Sequence, residues 1–128
     1  MRYLLVFFLY VGFSTYADEL ICKDKTNASY HICLTNEKNK VKKIANDKFT
    51  SIEDKLSKYE DFHDLKMQVI KSKDDWEKQV KSDCSNYIYF IESTSPVSQD
   101  QHNICMIHAY RERLSYYDRF IDMIDTFI

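Results

Sequence analysis

Apolar residues recur at helical spacing over three long stretches of this chain. Val41, Ala45, Phe49, Ile52, Leu56 and Tyr59 advance by three or four positions, which stacks them on one face of an α-helix. The pattern predicts a helix from about Ala28 to Tyr59. A second pattern, from about Asp64 to Ile91, puts Val69, Trp76, Val80, Cys84, Tyr87 and Ile91 on one side. Within it, Tyr87-Ile-Tyr-Phe-Ile91 reads as a strand in isolation, but continuity with the Trp76 stripe favours helix. No strong breaker lies between Glu60 and His63, so the first helix is free to bend there rather than stop. Ser93 to Gln99 is polar, centred on Pro96, and reads as a loop. A third helix runs from there to the C-terminus. Ile107, Tyr110, Leu114, Tyr117, Ile121, Ile124 and Ile128 form its seam, the alternation of a packed helical pair. Tyr116, Phe120, Met123 and Phe127 form a second stripe beside it. That wide apolar arc is read as burial between two helices, or as a partner or dimer surface.

Composition sharpens the fold class. The only glycine is Gly12 and the only proline Pro96. Sheets joined by tight turns need glycine where φ is positive, and long helices do not. The expected architecture is all-α, a small antiparallel bundle of about three helices. The charge balance is weakly acidic, 18 Lys and Arg against 20 Asp and Glu. It gives no support for nucleic-acid binding and permits basic partners.

The N-terminus reads as a cleavable export signal, residues 1–17. Arg2 opens it, Tyr3 to Phe13 is apolar, and Ser14, Thr15, Tyr16 and Ala17 end it. The apolar run is too short to span a bilayer comfortably and fits a signal core. The cut is expected after Ala17, leaving residues 18–128 as one domain without stable membrane insertion. Glu19, Leu20 and Ile21 precede Cys22 where a lipidated cysteine would need a small neighbour. Cys22, Cys33, Cys84 and Cys105 all follow the signal, in an even number without a Cys-x-x-Cys pair. An exported chain of this size with such cysteines is expected to hold two disulfides, in a periplasmic or secreted setting. Geometry favours Cys84–Cys105, which come level across a hairpin turning near Pro96. Cys22 then folds back onto Cys33.

The same residues resemble a known family. Trp76 stands eight residues before Cys84, and Cys105 eight before Arg113-Leu114. Cys33 precedes Glu37, and Ala45-Asn-Asp-Lys-Phe49 follows. This is similar to the LprI-like lysozyme inhibitors, exported helical domains with two early cysteines, a Leu-Asn-x-x-Tyr-like stretch, a Trp…Cys stretch and a final Cys…Arg. The resemblance runs from about Cys22 to Leu114. The chain departs from the pattern at Val80-Lys81, where the family usually has Arg-Asp. It departs also at Ala45 and Phe49, and at Ser-Pro-Val-Ser-Gln before the last cysteine. Trp76 and Arg113 are read as structural motif residues. Trp76 belongs to the core face. Arg113 is expected to pair with a carboxylate such as Asp83 or Asp118.

Several chemistries fall away. His102, Cys105 and His108, with His31 and Cys33, suggest zinc only if the thiols are free, and export favours their oxidation. A cysteine nucleophile fails for the same reason. Gly-x-Ser-x-Gly elbows and phosphate-cradling loops need glycine. Asp74-Asp75 and Glu60-Asp61 are adjacent and point apart on a helix, unlike a catalytic dyad. No cofactor, metal or catalysis is expected. Asn27-Ala28-Ser29 fits a glycosylation acceptor that only a eukaryotic secretory route would use.

Asp118, Asp122 and Asp125 fall on one face of the third helix. They are read as a solvated face or as an acidic patch for a basic partner. The resemblance implies that the partner is a c-type lysozyme, inhibited by occlusion of its cleft, with loop residues near Pro96 contributing. The alternative is an envelope structural or interaction module. In that reading the aromatic end of the third helix docks a partner or a second copy in a homodimer.

Overall fold

A computed structural model describes residues 21–23 and 25–128. The export-signal reading lies outside these residues. Among them the chain forms three helices, α1 (Asn27–Leu56), α2 (His63–Tyr87) and α3 (Pro96–Phe127), and no strand. A short 3-10 turn, Glu60–Phe62, joins α1 to α2.

α1 buries Val41, Ala45, Phe49, Ile52 and Leu56 of the stripe its spacing predicts, and Leu34 besides, whereas Tyr59 lies past the end of the helix and is exposed. α3 lays Ile107, Tyr110, Tyr117 and Ile124 against it. Contacts between these helices keep a nearly constant offset in sequence. His31 meets Asp100, Lys48 meets Asp118 and Lys55 meets Asp125. Partners advance together, so α1 and α3 run parallel and form the main packed pair. α2 runs against them: Trp76 meets Tyr110, while Cys84, further along α2, meets Cys105, further back on α3. Only Val80 and Cys84 of α2 are buried.

α1 stops at Leu56 rather than bending into α2. The Ser57 hydroxyl donates to the Glu53 carbonyl at 2.6 Å. The Lys58 and Tyr59 amides then bond only three residues back, which tightens the last turn and ends the helix.

The α2–α3 connection also differs from expectation. α2 ends at Tyr87, and Ile88 to Ile91 are neither helix nor strand. They form turns, with the Tyr89 amide donating to the Asn86 carbonyl and the Ile91 amide to the Ile88 carbonyl. Pro96 does not centre the loop. It is the first residue of α3, where its missing N–H costs nothing and its fixed φ suits the helix. Ser95 is the N-cap, its Oγ accepting from the Ser98 amide at 3.1 Å.

Both disulfides form in the expected pairing, Cys22–Cys33 and Cys84–Cys105, with Cα separations of 6.1 and 5.6 Å. Because α1 and α3 are parallel, Cys33 and Cys105 lie at the same end of the bundle. Both staples therefore brace the end from which the α2–α3 connection projects. Cys22 has φ 63°, a costly region for a side chain with a Cβ. Its disulfide and the Lys25 amide bond to its carbonyl, at 3.1 Å, hold it there.

Candidate functional site

Among the described residues, the stapled end presents three strongly exposed aromatic side chains in one short segment. Tyr87, Tyr89 and Phe90 are 70, 79 and 95 % exposed. Tyr89 and Phe90 meet edge to face, ring centroids 5.3 Å apart, a favourable aromatic arrangement. The segment carries this exposure because α2 has just passed the Cys84–Cys105 bridge. Beyond that level α2 stops and the chain turns back toward Ser95. Sequence periodicity placed Tyr87 and Ile91 on a buried helical face and so missed this surface. The available signal was an unbroken aromatic and β-branched run just after the last staple, with no polar residue from Tyr87 to Ile91.

Beneath the connection lies a buried polar layer. Ser98, Asp100 and Asn103 of α3 are all buried. The Asn103 Nδ2 donates to the Thr35 Oγ1 at 3.5 Å. The Asp100 Oδ2 lies 2.5 Å from the His31 Nδ1. These pairs join the first three turns of α1 to those of α3.

The acidic residues Asp118, Asp122 and Asp125 lie elsewhere. From Pro96 to Asp118 the helix rises about 33 Å, so this face and the aromatic connection are separate surfaces. Asp118 pairs with Lys48, and Asp125 with Lys55 at 2.5 Å. Among the described residues no cation pairs with the Asp122 carboxylate, which is exposed. Two of the three acids thus also tie α3 to α1.

Arg113 does not take up a carboxylate. Asp83 accepts from Gln79 and Asp118 from Lys48. The Arg113 guanidinium instead lies over three rings, Trp76 at 4.9 Å, Tyr116 at 4.4 Å and Tyr117 at 4.9 Å. Trp76 also meets Tyr110 edge to face at 5.1 Å. Trp76 is partly buried against the core, in keeping with its expected place there. Burial, with Glu77 and Tyr117 nearby, pushes the Tyr110 hydroxyl up to about 12.

Cys33 and Cys105, the thiols a zinc site would need, are both oxidised. Among the described residues no group of three His, Cys, Asp or Glu side chains is placed to hold a metal. His102 is held below its usual pKa, first by burial and then by Lys38 and Lys81. No described helix is long and apolar enough to cross a membrane.

Comparison with known proteins gives a family match. The profile of the family described as "Lysozyme inhibitor LprI" covers residues 22–116. That span starts at the first cysteine and holds both disulfides, Trp76, the aromatic connection and Arg113. It ends before Asp118. No curated protein matches the chain, and neither does any solved structure. A family match over most of the chain, a span that holds the two staples and the Trp76–Arg113 contact, places this protein in the LprI lysozyme inhibitor family.

Proposed function

We propose that this protein is an exported binding protein, periplasmic or secreted, that inhibits a c-type lysozyme by covering its substrate cleft. The observation that carries this reading is the family match over the doubly stapled frame. Two disulfides suit a compartment outside the cytosol. Inhibition by occlusion needs surface and rigidity and no catalytic group. Lysozymes of this type are strongly basic, and a weakly acidic protein meets them with favourable long-range attraction. Asp118, Asp122 and Asp125 supply an acidic flank that steers the encounter, Asp122 with its carboxylate free of a described cation. Residues around Pro96 supply contact at the stapled end. The test is lysis of a bacterial cell-wall suspension by purified lysozyme, followed by turbidity. Dose-dependent protection supports the reading, and undiminished lysis at excess protein rejects it.

A second reading rests on the far end of α3, where Met123, Phe127 and Ile128 are exposed. There the protein is an envelope interaction module that docks a partner or a second copy through this apolar end. Light scattering on the oxidised protein separates the two readings. A stable dimer lost on Phe127→Ser, with no effect on lysozyme, favours the module.

A further inference from the structure

We propose that the turn between α2 and α3 is the inhibitory wedge: Tyr89 and Phe90 enter the sugar-binding cleft of a cationic lysozyme. The inference deepens the inhibitor reading above and rests on it. Three features of this turn fit that occupant.

The first is exposure with fixed shape. Phe90 is 95 % and Tyr89 79 % exposed, an arrangement that leaves large apolar rings in water and marks an interaction surface. The turn closes its own backbone bonds. Tyr89, Ile91 and Ser95 donate to the carbonyls of Asn86, Ile88 and Glu92 at 3.1, 2.9 and 2.9 Å. Below it stand the Cys84–Cys105 bridge and the Ser95 cap. A projecting element anchored in this way loses little freedom on binding.

The second is shape and chemistry. A projection fits a concave site, and polysaccharide clefts are concave. Flat aromatic rings have the apolar faces that pack in such clefts, and Tyr adds a hydroxyl for their polar groups. Tyr and other aromatics are the usual anchors of tight interfaces.

The third is charge. Between Ser82 and Tyr110 the chain has no lysine or arginine, while Asp83 and Glu92 flank the aromatic run. The cations near this end lie off the turn: Lys23 and Lys25 in the Cys22–Cys33 loop, Lys38 on α1, and Lys81 on α2, one turn before the Cys84 staple. An aromatic projection with acidic shoulders complements a cationic cleft rim.

The experiment titrates the oxidised protein against a purified c-type lysozyme in the turbidity assay. It compares wild type, the double variant Tyr89→Ser/Phe90→Ser, and Met67→Ser, an exposed apolar change on α2 near the opposite end. The expected result is inhibition by wild type and Met67→Ser alike, with the double variant weaker by about tenfold or more. All three should melt at the same temperature, since the changed side chains are exposed. A chitooligosaccharide that fills the cleft should displace wild type. If the double variant fails to fold, Glu92→Lys tests the same turn by reversing an acidic shoulder and should weaken inhibition. Wild-type inhibition matched by both turn variants overturns this inference alone. Absence of inhibition by wild type overturns it together with the inhibitor reading. A dimer that the double variant abolishes, with inhibition unchanged, assigns the turn to a second copy and overturns the proposal.

Discussion

The Arg113 guanidinium lies 4.9 Å over the ring of Trp76 and 4.4 Å over that of Tyr116. A cation on α3 thereby holds α2, a helix that buries only Val80 and Cys84. Arg113→Ala removes this clasp and the packing of the side chain's stem. The expected loss is about 1–2 kcal/mol, read as a lower urea midpoint, with Trp76 fluorescence shifted toward that of solvated tryptophan. Arg113→Lys keeps the charge but not the planar stacking, and should recover only part of the loss. An unchanged midpoint in the alanine variant would show that the clasp contributes nothing.

Each disulfide closes a short loop, with sequence separations of 11 and 21. The chain-entropy account gives roughly 3 kcal/mol for each. Cys84→Ser/Cys105→Ser should lower global stability by about that much and broaden the aromatic spectrum of the α2–α3 turn. Cys22→Ser/Cys33→Ser should chiefly release the segment before α1. Hydrogen exchange distinguishes local from global loss.

His102 binds its proton less tightly in the folded protein than in the unfolded chain. Protonation therefore favours unfolding. The contribution is fully present above the unfolded value of about 6.5 and is lost as pH falls through the lower folded value. The urea midpoint should fall on acidification from neutral pH, and His102→Gln should flatten that fall. A profile as steep in the variant as in wild type would exclude His102 as its source.

Tyr110 should ionise late. Its hydroxyl is held at about 12, so near-ultraviolet difference absorbance on alkaline titration should show a step beyond that of the exposed tyrosines. The neutral form is the one the fold accommodates, so stability declines above the ordinary tyrosine value of about 10. Tyr110→Phe should remove the late step.

Neutralising Asp118, Asp122 and Asp125 together to asparagine tests the acidic flank. Association with a cationic lysozyme should slow several-fold at low salt, and the difference should vanish at high salt. The two lost pairs to Lys48 and Lys55 are partly exposed and should cost at most about 1 kcal/mol each. Equal association rates at low salt would remove these residues from the encounter.

The buried frame was legible because burial and helical spacing reinforce each other. Val41, Ala45, Phe49, Ile52 and Leu56 on α1 keep that spacing and are buried, as are Ile107, Tyr110, Tyr117 and Ile124 on α3, with Leu114 and Ile121 partly buried beside them. The disulfide pairing followed from hairpin geometry for the same reason. Periodicity alone did not reveal where a helix runs out of neighbours. Tyr87 and Ile91 continue the α2 stripe, yet among the described residues the buried core does not extend past the Cys84 staple, so Tyr87 is exposed and Ile91 only half-buried in a turn. Pro96 reads as a breaker in sequence, but a capping Ser95 converts it into a helix start. The Arg113 partner was also hidden, since the carboxylates in reach are taken by Gln79 and Lys48 and the open choice is a ring face.

The parallel arrangement of α1 and α3 bears on how the molecule assembles. The seam that buries α1 is built from residues some seventy positions later, so α1 has no lasting partner until the final helix has emerged. Local α1–α2 pairing cannot substitute, because α2 offers so little apolar surface to the interior. Loop-closure entropy must be met before the main seam forms, making this a slow folder for an all-helical chain of its size. A ribosomal product or fragment ending near Pro96 would hold its first helix with the apolar stripe uncovered, a target for chaperones and proteases rather than a half-built inhibitor.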